Sequence, residues 1–294
     1  NNVFLGYQAG YTSDASNNVF LGNEAGRFNS SGTNNAFMGN LAGNTNTTGS
    51  NNVFIGNQSG VTNTTGANNV FLGNLAGNKN NASDNVFLGN EAGRYNTSGT
   101  NNAFIGYYAG QSNLTGHSNV FIGTNAGKSA TNSSTSIIMG NNSAQDVTTK
   151  ITSSIIMGDN ALTQMSNSIP VSSSLVLGNN AGKQIGTGAT SMSQCIFIGD
   201  NAGSGTNTAT SILKSISAVV ALGNSSGANS DGYRNVFIGN GAGQFYKGVQ
   251  STMIGFLVAT QNSEGTYNVY VGDQCALNTI GDNNTYIGRT PGWE

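Results

Sequence analysis

Three apolar residues in a row, closed by glycine and usually preceded by asparagine, recur from one end of the chain to the other: Val3-Phe4-Leu5-Gly6, Val19-Phe20-Leu21-Gly22, Ala36-Phe37-Met38-Gly39 and so on to Val269-Tyr270-Val271-Gly272 and Tyr286-Ile287-Gly288. With the closing glycine as a marker, the repeats fall at positions 6, 22, 39, 56, 73, 89, 106, 123, 140, 158, 178, 199, 223, 239, 255, 272 and 288, seventeen in all. Their spacing is 16 or 17 residues except between 123 and 239, where it lengthens through 18, 20, 21 and 24 before returning to 16. The residue before the marker is always aliphatic, as in Leu5, Leu21, Met38 and Ile55. Three residues after it stands a small residue in most copies (Ala9, Ala25, Ser59, Ala202, Ala242), usually followed by Gly. The remainder is a Thr, Ser and Asn connector such as residues 44–50.

Glycine and asparagine punctuate every window of about eight residues, which disfavours helix. The pattern predicts a short strand ending at the marker, a corner at the glycine, and a second extended stretch in the polar connector. Two short strands and two turns in 16 or 17 residues make one coil of a parallel β-solenoid. A propeller blade needs about 40 residues and a leucine-rich repeat about 20–29. The expected fold is therefore all-β, a parallel β-solenoid or β-roll of about 17 coils. At ~4.8 Å per coil it makes a rod about 80 Å long. It reads as one continuous domain, with regular coils over 1–128, coils with longer insertions over 129–222, and regular coils plus a C-terminal tip over 223–294.

Strand side chains alternate between faces, so Val19 and Leu21 share one face and Phe20 takes the other. The uniform aliphatic position is assigned to the interior, opposite the small Ala9-type residues. The other face then carries Phe4, Phe20, Phe37, Phe54, Phe71, Phe87, Phe104 and Phe121. The same row continues through Ile138, Ile156 and Val176 to Phe197, Ala221, Phe237, Met253, Tyr270 and Tyr286. An apolar stripe of that length exceeds what a monomer exposes, and strands apolar on both faces are covered on both. The ten phenylalanines through Phe237 are thus expected at an interface between copies of the chain about an axis parallel to the rod. The alternative packs Phe inside and leaves Val and Leu outside. It also leaves one stripe to cover. Asparagine precedes the triplet in most copies (Asn18, Asn52, Asn102, Asn235) and is expected to form a hydrogen-bonded amide ladder.

Composition narrows the function. Charged residues are 7% of the 294, and 43 residues are Gly; about 25% charged is usual. The 36% apolar content recurs in register, which argues against disorder. Ten Lys+Arg against twelve Asp+Glu, singly dispersed, give no basic stripe for nucleic acid. No apolar run approaches the ~20 residues of a membrane span. The chain begins within a repeat at Asn1, which reads as a fragment or a processed product.

The N-N-V-F-[LI]-G-x-x-A-G repeat resembles the head repeats of YadA-type trimeric autotransporter adhesins, close to N-S-V-A-I-G-x-x-A. It is also similar to shaft repeats of phage tail fibres, which often carry a C-terminal self-cleaving chaperone. The resemblance spans all seventeen copies. It implies a left-handed β-roll, three chains about one axis, and attachment at a cell or virion surface. Two features depart from the pattern. Phe stands where those repeats carry Ala, implying a thicker inter-chain core, and the lengthened coils between Gly123 and Gly239 have no counterpart.

Candidate chemistry is sparse, and neither an enzyme, a cofactor nor a metal site is expected. His117, the one histidine, sits in a connector with no acid at a matching place on neighbouring coils. Asp159, Asp200 and Asp273 follow the marker as turn residues, in coils too far apart for a catalytic pair. No Cys/His cluster suits zinc. Residues 239–243 (GNGAG) copy a phosphate loop but precede no helix. Cys195 and Cys275 lie four coils apart, too far for a disulfide, and read as buried thiols. Eleven N-x-S/T sequons follow from composition alone.

Aromatics outside the triplets are the candidate ligand residues: the tandem Tyr107-Tyr108, the tandem Phe245-Tyr246, and Trp293 near the end, with Phe28 and Tyr95 at the same offset as Phe245. Aromatics among Asn and Thr suit sugar rings, although the same residues also suit coil corners or a neighbouring chain. The lengthened coils over 129–217 are a second candidate surface, since insertions in repeats map to loops; residues 210–217 alternatively pack beside the rod. Together these features point to a homotrimeric fibre or adhesin segment, extracellular or on a virion, that binds surface glycan or a receptor and does not itself enter a membrane. The alternatives are a structural spacer, a polysaccharide-cleaving spike, and an ice-binding solenoid, which wants a regular Thr face that this chain lacks.

Overall fold

Every marker glycine adopts φ between +125° and +149°, a region closed to side-chain-bearing residues, and turns the chain sharply out of its strand. A Cβ on Gly22 would run into the carbonyl oxygen of Gly39 in the coil above, so adjacent coils approach there as bare backbone. That close approach fixes the repeat. In this computed structural model, which describes residues 1–165, 169–185, 191–205, 216–230, 232–260 and 264–290, each coil holds its triplet as a three-residue strand. No helix occurs among the described residues.

The chain forms two compact units, Asn1–Asn142 and Ser143–Glu294. Each is a parallel β-solenoid. In the first unit nine strands, from Val3–Leu5 to Ile137–Met139, stack in parallel with identical register: Val19 faces Ala36, Phe20 faces Phe37 and Leu21 faces Met38. In the second, eight strands from Ile155–Met157 to Thr285–Ile287 do the same.

The faces of the triplet are the reverse of those expected. Phe20, Phe37, Phe54, Phe71, Phe87, Phe104, Phe121 and Phe237 are fully buried within the chain's own solenoid, and Phe197 is nearly so. Phe4, in the first coil, has one open side but stacks on Phe20 within the same row. From Phe4 to Phe121 the rings stack with centroids 4.8–5.0 Å apart and interplanar angles of 6–18°. Nine of these ten phenylalanines are therefore unavailable as inter-chain contacts, and the tenth, Phe4, continues the same interior row.

The reason lies four residues past the marker. Gly26 takes φ +56° and a Cβ there would lie 2.6 Å from Phe20 Cε2; the ring lies flat against bare backbone. In some coils whose middle residue is not Phe that glycine is replaced, whereas Val176 and Ala221 keep Gly182 and Gly227, against which side chains of neighbouring coils pack. Ile138 stands with Ala144, Ile156 with Leu162, and Met253 with Ala259, all in the same left-handed conformation. Leu162 also fills the space that Val176 leaves above Gly182. Tyr270 stands with Ala276, its ring centroid 5.4 Å from that of Tyr286 and its hydroxyl accepting a hydrogen bond from Thr279 Oγ1 at 3.3 Å.

The asparagines before the triplet form the expected ladder. Asn52 is buried; its Nδ2 donates to Gly66 O at 2.8 Å and its Oδ1 accepts from the Asn69 backbone N–H at 2.9 Å. The same bonds recur at Asn18, Asn35, Asn69, Asn85 and Asn102. Where Ser replaces Asn, as at Ser154, Ser174 and Ser251, its Oγ keeps the acceptor role toward the next coil. Asn52→Ala leaves the Asn69 backbone N–H without its acceptor and removes one of the two amide donors to Gly66 O, so it is expected to cost about 2 kcal/mol. Asn52→Ser should retain part of that, with denaturant titration of both variants as the check.

The connector differs between the units. In the first it is not a strand but a turn closed by a second buried asparagine: Asn29, Asn46, Asn63 and Asn96 each donate Nδ2 to the glycine carbonyl three residues on, at 2.8–2.9 Å. In the second unit Val147, Met165 and Ile185 occupy that position and are buried. No amide closes the turn, the chain runs on, and Ile151–Thr152, Val171–Ser172, Met192–Ser193 and Ile216–Ser217 pair into a second parallel sheet. Ile151, Val171 and Met192 point inward. The described part of the lengthened coils is thus a wider interior rather than surface loops. Residues 186–190 and 206–215, including most of the 210–217 segment, lie outside the described residues.

Candidate functional site

With Phe turned inward, the outer face of the sheet belongs to the flanking residues. Val19 and Leu21, Val53 and Ile55, Val70 and Leu72, and Val120 and Ile122 stand in two aliphatic columns, half-buried by their neighbours. Ile55 and Ile105 are 36% exposed and Ile137 is 37% exposed. In the first unit, nine strands at the parallel spacing give a stripe about 40 Å long. Sequence reasoning inferred such a stripe but filled it with the wrong residues.

The corner beside this stripe carries a row one residue past the marker: Tyr7, then Asn23, Asn40, Asn57, Asn74 and Asn90, then Tyr107 and Thr124. Asparagines here bond along the row, Asn23 to Asn40 at 3.3 Å and Asn57 to Asn74 at 3.0 Å. Tyr107 interrupts the row and is 46% exposed. Its ring centroid lies 3.9 Å from that of Tyr108, tilted by 45°. Lys128 Nζ sits 4.6 Å from the Tyr108 centroid. A hydrogen bond with Tyr107, then partial burial and the charge of Glu91, hold the Tyr108 phenol above its usual pKa.

Tyr108 adjoins a second group. Glu91 Oε2 accepts from Arg94 Nη1 at 2.8 Å and from Gln111 Nε2 at 2.6 Å, and Arg94 stacks 4.9 Å from the Tyr95 centroid. The Glu91 bond keeps the guanidinium firmly charged. Coil 2 holds the same trio, Glu24 2.9 Å from Arg27 and Arg27 4.9 Å over Phe28, but with Leu41 where Tyr108 stands one coil on. Lys128 and Gln111 were not singled out from the sequence. Both fall five residues past a marker, in the column of Arg94, and that register was the available signal.

The other candidates separate. Phe245 is 43% exposed, but Tyr246 is fully buried, its hydroxyl 2.8 Å from Ser251 Oγ and donating to Gly265 O at 2.5 Å. Tyr246 lies seven residues past its marker, the interior position that Asn29 holds in the first unit, so it belongs to the core and not to a ligand site. Trp293 lies outside the described residues. Cys195 and Cys275 are buried thiols in no disulfide; burial pushes the Cys195 thiol up to about 11 and raises that of Cys275. Sequon residues Asn29, Asn46, Asn63, Asn96 and Asn113 are buried as well. His117 is exposed, with Nδ1 3.4 Å from Ser118 Oγ. Among the described residues no three His, Cys, Asp or Glu gather as a metal site.

No protein-family model matches this chain, and no curated protein matches it either.

Proposed function

We propose that this chain is a segment of a homotrimeric extracellular fibre or adhesin that attaches to a cell surface through carbohydrate, acting as a binder and not as an enzyme. The observation that carries the reading is the continuous aliphatic face left outward once the phenylalanines fill each solenoid. Monomers rarely leave contiguous apolar patches of more than a few hundred Å² in water. A second and third copy of the same regular column offer a matching stripe at the same ~4.8 Å pitch, which an unrelated globular partner does not. The resemblance of the repeat to trimeric adhesin heads and tail-fibre shafts supplies the number three and the attachment role.

Two charged residues placed on the stripe oppose that assembly. Ile55→Asp combined with Ile105→Asp is expected to bring the species down to the 30.0 kDa chain mass while circular dichroism stays unchanged. Retention of the wild-type mass by this variant counts against the stripe as the interface. Attachment itself is tested by binding of the labelled chain to glycan arrays and whole cells. Binding to both supports the reading.

A structural spacer is the second reading. Coils 3 to 5 favour it, because their corners repeat Asn40, Asn57 and Asn74 without an exposed aromatic. Silence across arrays and cells is its expected result.

A further inference from the structure

We infer that Tyr107, Tyr108 and Lys128 form a platform for one pyranose ring bearing a carboxylate, that is, a hexuronate unit of an acidic surface polysaccharide. The inference rests on the attachment reading above and gives it a place and a ligand class.

The chain contains its own control. Coils 2 and 6 share the Glu-x-x-Arg-aromatic trio with nearly identical contacts, 2.9 and 2.8 Å for the ion pair and 4.9 Å for each stacked ring. The trio is therefore a corner brace in both places. Only above coil 6 does the surface bring two tyrosines and a lysine together; coils 3 to 5 carry Asn, Leu, Gln or Val at these positions, while Tyr7, Phe256, Arg27, Arg94 and Lys183 stand singly at them elsewhere. These additions do not serve the coil, since coils 3 to 5 close without them. They change what the corner presents to solvent.

The chemistry of the additions is selective. The face of an aromatic ring is negative and receives the weakly positive C–H face of a sugar, while the tyrosine body is amphipathic and tolerates water when empty. Tyr107 is partly exposed beside Tyr108. Along its row Asn90 and Thr124 stand one coil to either side, about 5 Å away, offering an amide and a hydroxyl to ring hydroxyls. The charges decide the ligand. Glu91 is engaged by Arg94 and Gln111, whereas Lys128 enters no ion pair among the described residues and rests on Tyr108. One glutamate, one arginine and one lysine leave the patch with a single positive charge, held next to the stacking face. A carboxylate on the sugar neutralises it, with a bond of the charge-assisted type.

Each test variant uses a residue that the repeat itself carries at that position, so folding is preserved: Tyr107→Asn (as Asn90), Tyr108→Leu (as Leu75) and Lys128→Gln (as Gln111). Calorimetric titration of the full chain with tetragalacturonate and with maltotetraose reads the outcome. The acidic oligomer should bind at least tenfold more tightly than the neutral one. Tyr107→Asn should weaken it tenfold or more, and Lys128→Gln or 0.5 M salt should bring the two oligomers level. Phe28→Ala in coil 2 should change neither. Equal or tighter binding of maltotetraose by the wild type overturns the inference, as does undiminished binding by Tyr107→Asn. If the chain holds cells or arrays but neither oligomer, this site is wrong and the attachment reading stands; if it holds nothing at all, both fall.

Discussion

Phe71→Ala should destabilise the folded chain by about 3–5 kcal/mol, the cost of emptying a fully buried aromatic site. Phe71 has no exposed surface and touches a stacked ring on either side, Phe54 at 4.8 Å and Phe87 at 4.8 Å. The surrounding backbone cannot close the cavity, because the coil pitch is set by interstrand hydrogen bonds and every neighbouring coil carries the same ring. Leu72→Ala, one residue along but on the outer face, should cost under about 1 kcal/mol in the dissociated chain. Chemical denaturation of the two variants separates an inward Phe from an outward one. A larger loss for Leu72→Ala than for Phe71→Ala contradicts the assignment of faces.

Gly56→Ala should be at least as severe, about 3–6 kcal/mol. The residue would hold φ near +135°, and its Cβ would run into the carbonyl oxygen of Gly73. The carbonyl belongs to the next coil, so the damage cannot be absorbed by a rotamer change. Gly77→Ala is a different case. Its φ of +56° is also held by Ala144 and Leu162, so the conformation is tolerable and the obstacle is the Phe71 ring. Phe71→Ile should therefore rescue Gly77→Ala, the pair costing about 1–3 kcal/mol less than the two single changes added together. Additive losses in that double-mutant cycle would mean that the glycine answers to backbone strain alone.

These two glycines also show what was legible in the chain. The period, the corner and the parallel stack were readable because the marker recurs seventeen times and only one geometry closes so short a coil. The inside of the triplet was harder. Val19, Phe20 and Leu21 are all apolar, so strand alternation gives no sign of which face is buried. The discriminating signal lay at Gly26, Ala144 and Leu162: each of the phenylalanine triplets has Gly at this place, and a side chain appears there only in coils whose middle residue is not Phe. The corner patch divides along the same line. Tyr107 and Phe245 sit one and six residues past a marker and face outward; Tyr246, seven past, is core. Read by register instead of by adjacency, the two tandem aromatics are already different in the sequence. The wider coils were harder to read as core, because Ile151, Val171 and Met192 keep no fixed distance from the preceding marker; each stands seven residues before the next one, a register visible only when counted backward, and their pairing appears in three dimensions.

The consequence for function is that the phenylalanines make the coil and the aliphatic pairs make the surface. The middle Phe thus sets the girth of each solenoid, while Val, Leu and Ile stand on the outer face. Buried Cys195, Asn29 and Tyr246 are removed from any recognition role by the same packing, whereas the Tyr107 corner keeps an exposed aromatic beside a second ring and a lysine.

The central claim is that the outward aliphatic stripe is an interface between copies of this chain. Sedimentation equilibrium of the full chain over a tenfold range of concentration tests it most directly. The account predicts a single species of three times the 30.0 kDa chain mass throughout. A soluble species at 30.0 kDa across that range, with the stripe open to water, would contradict it.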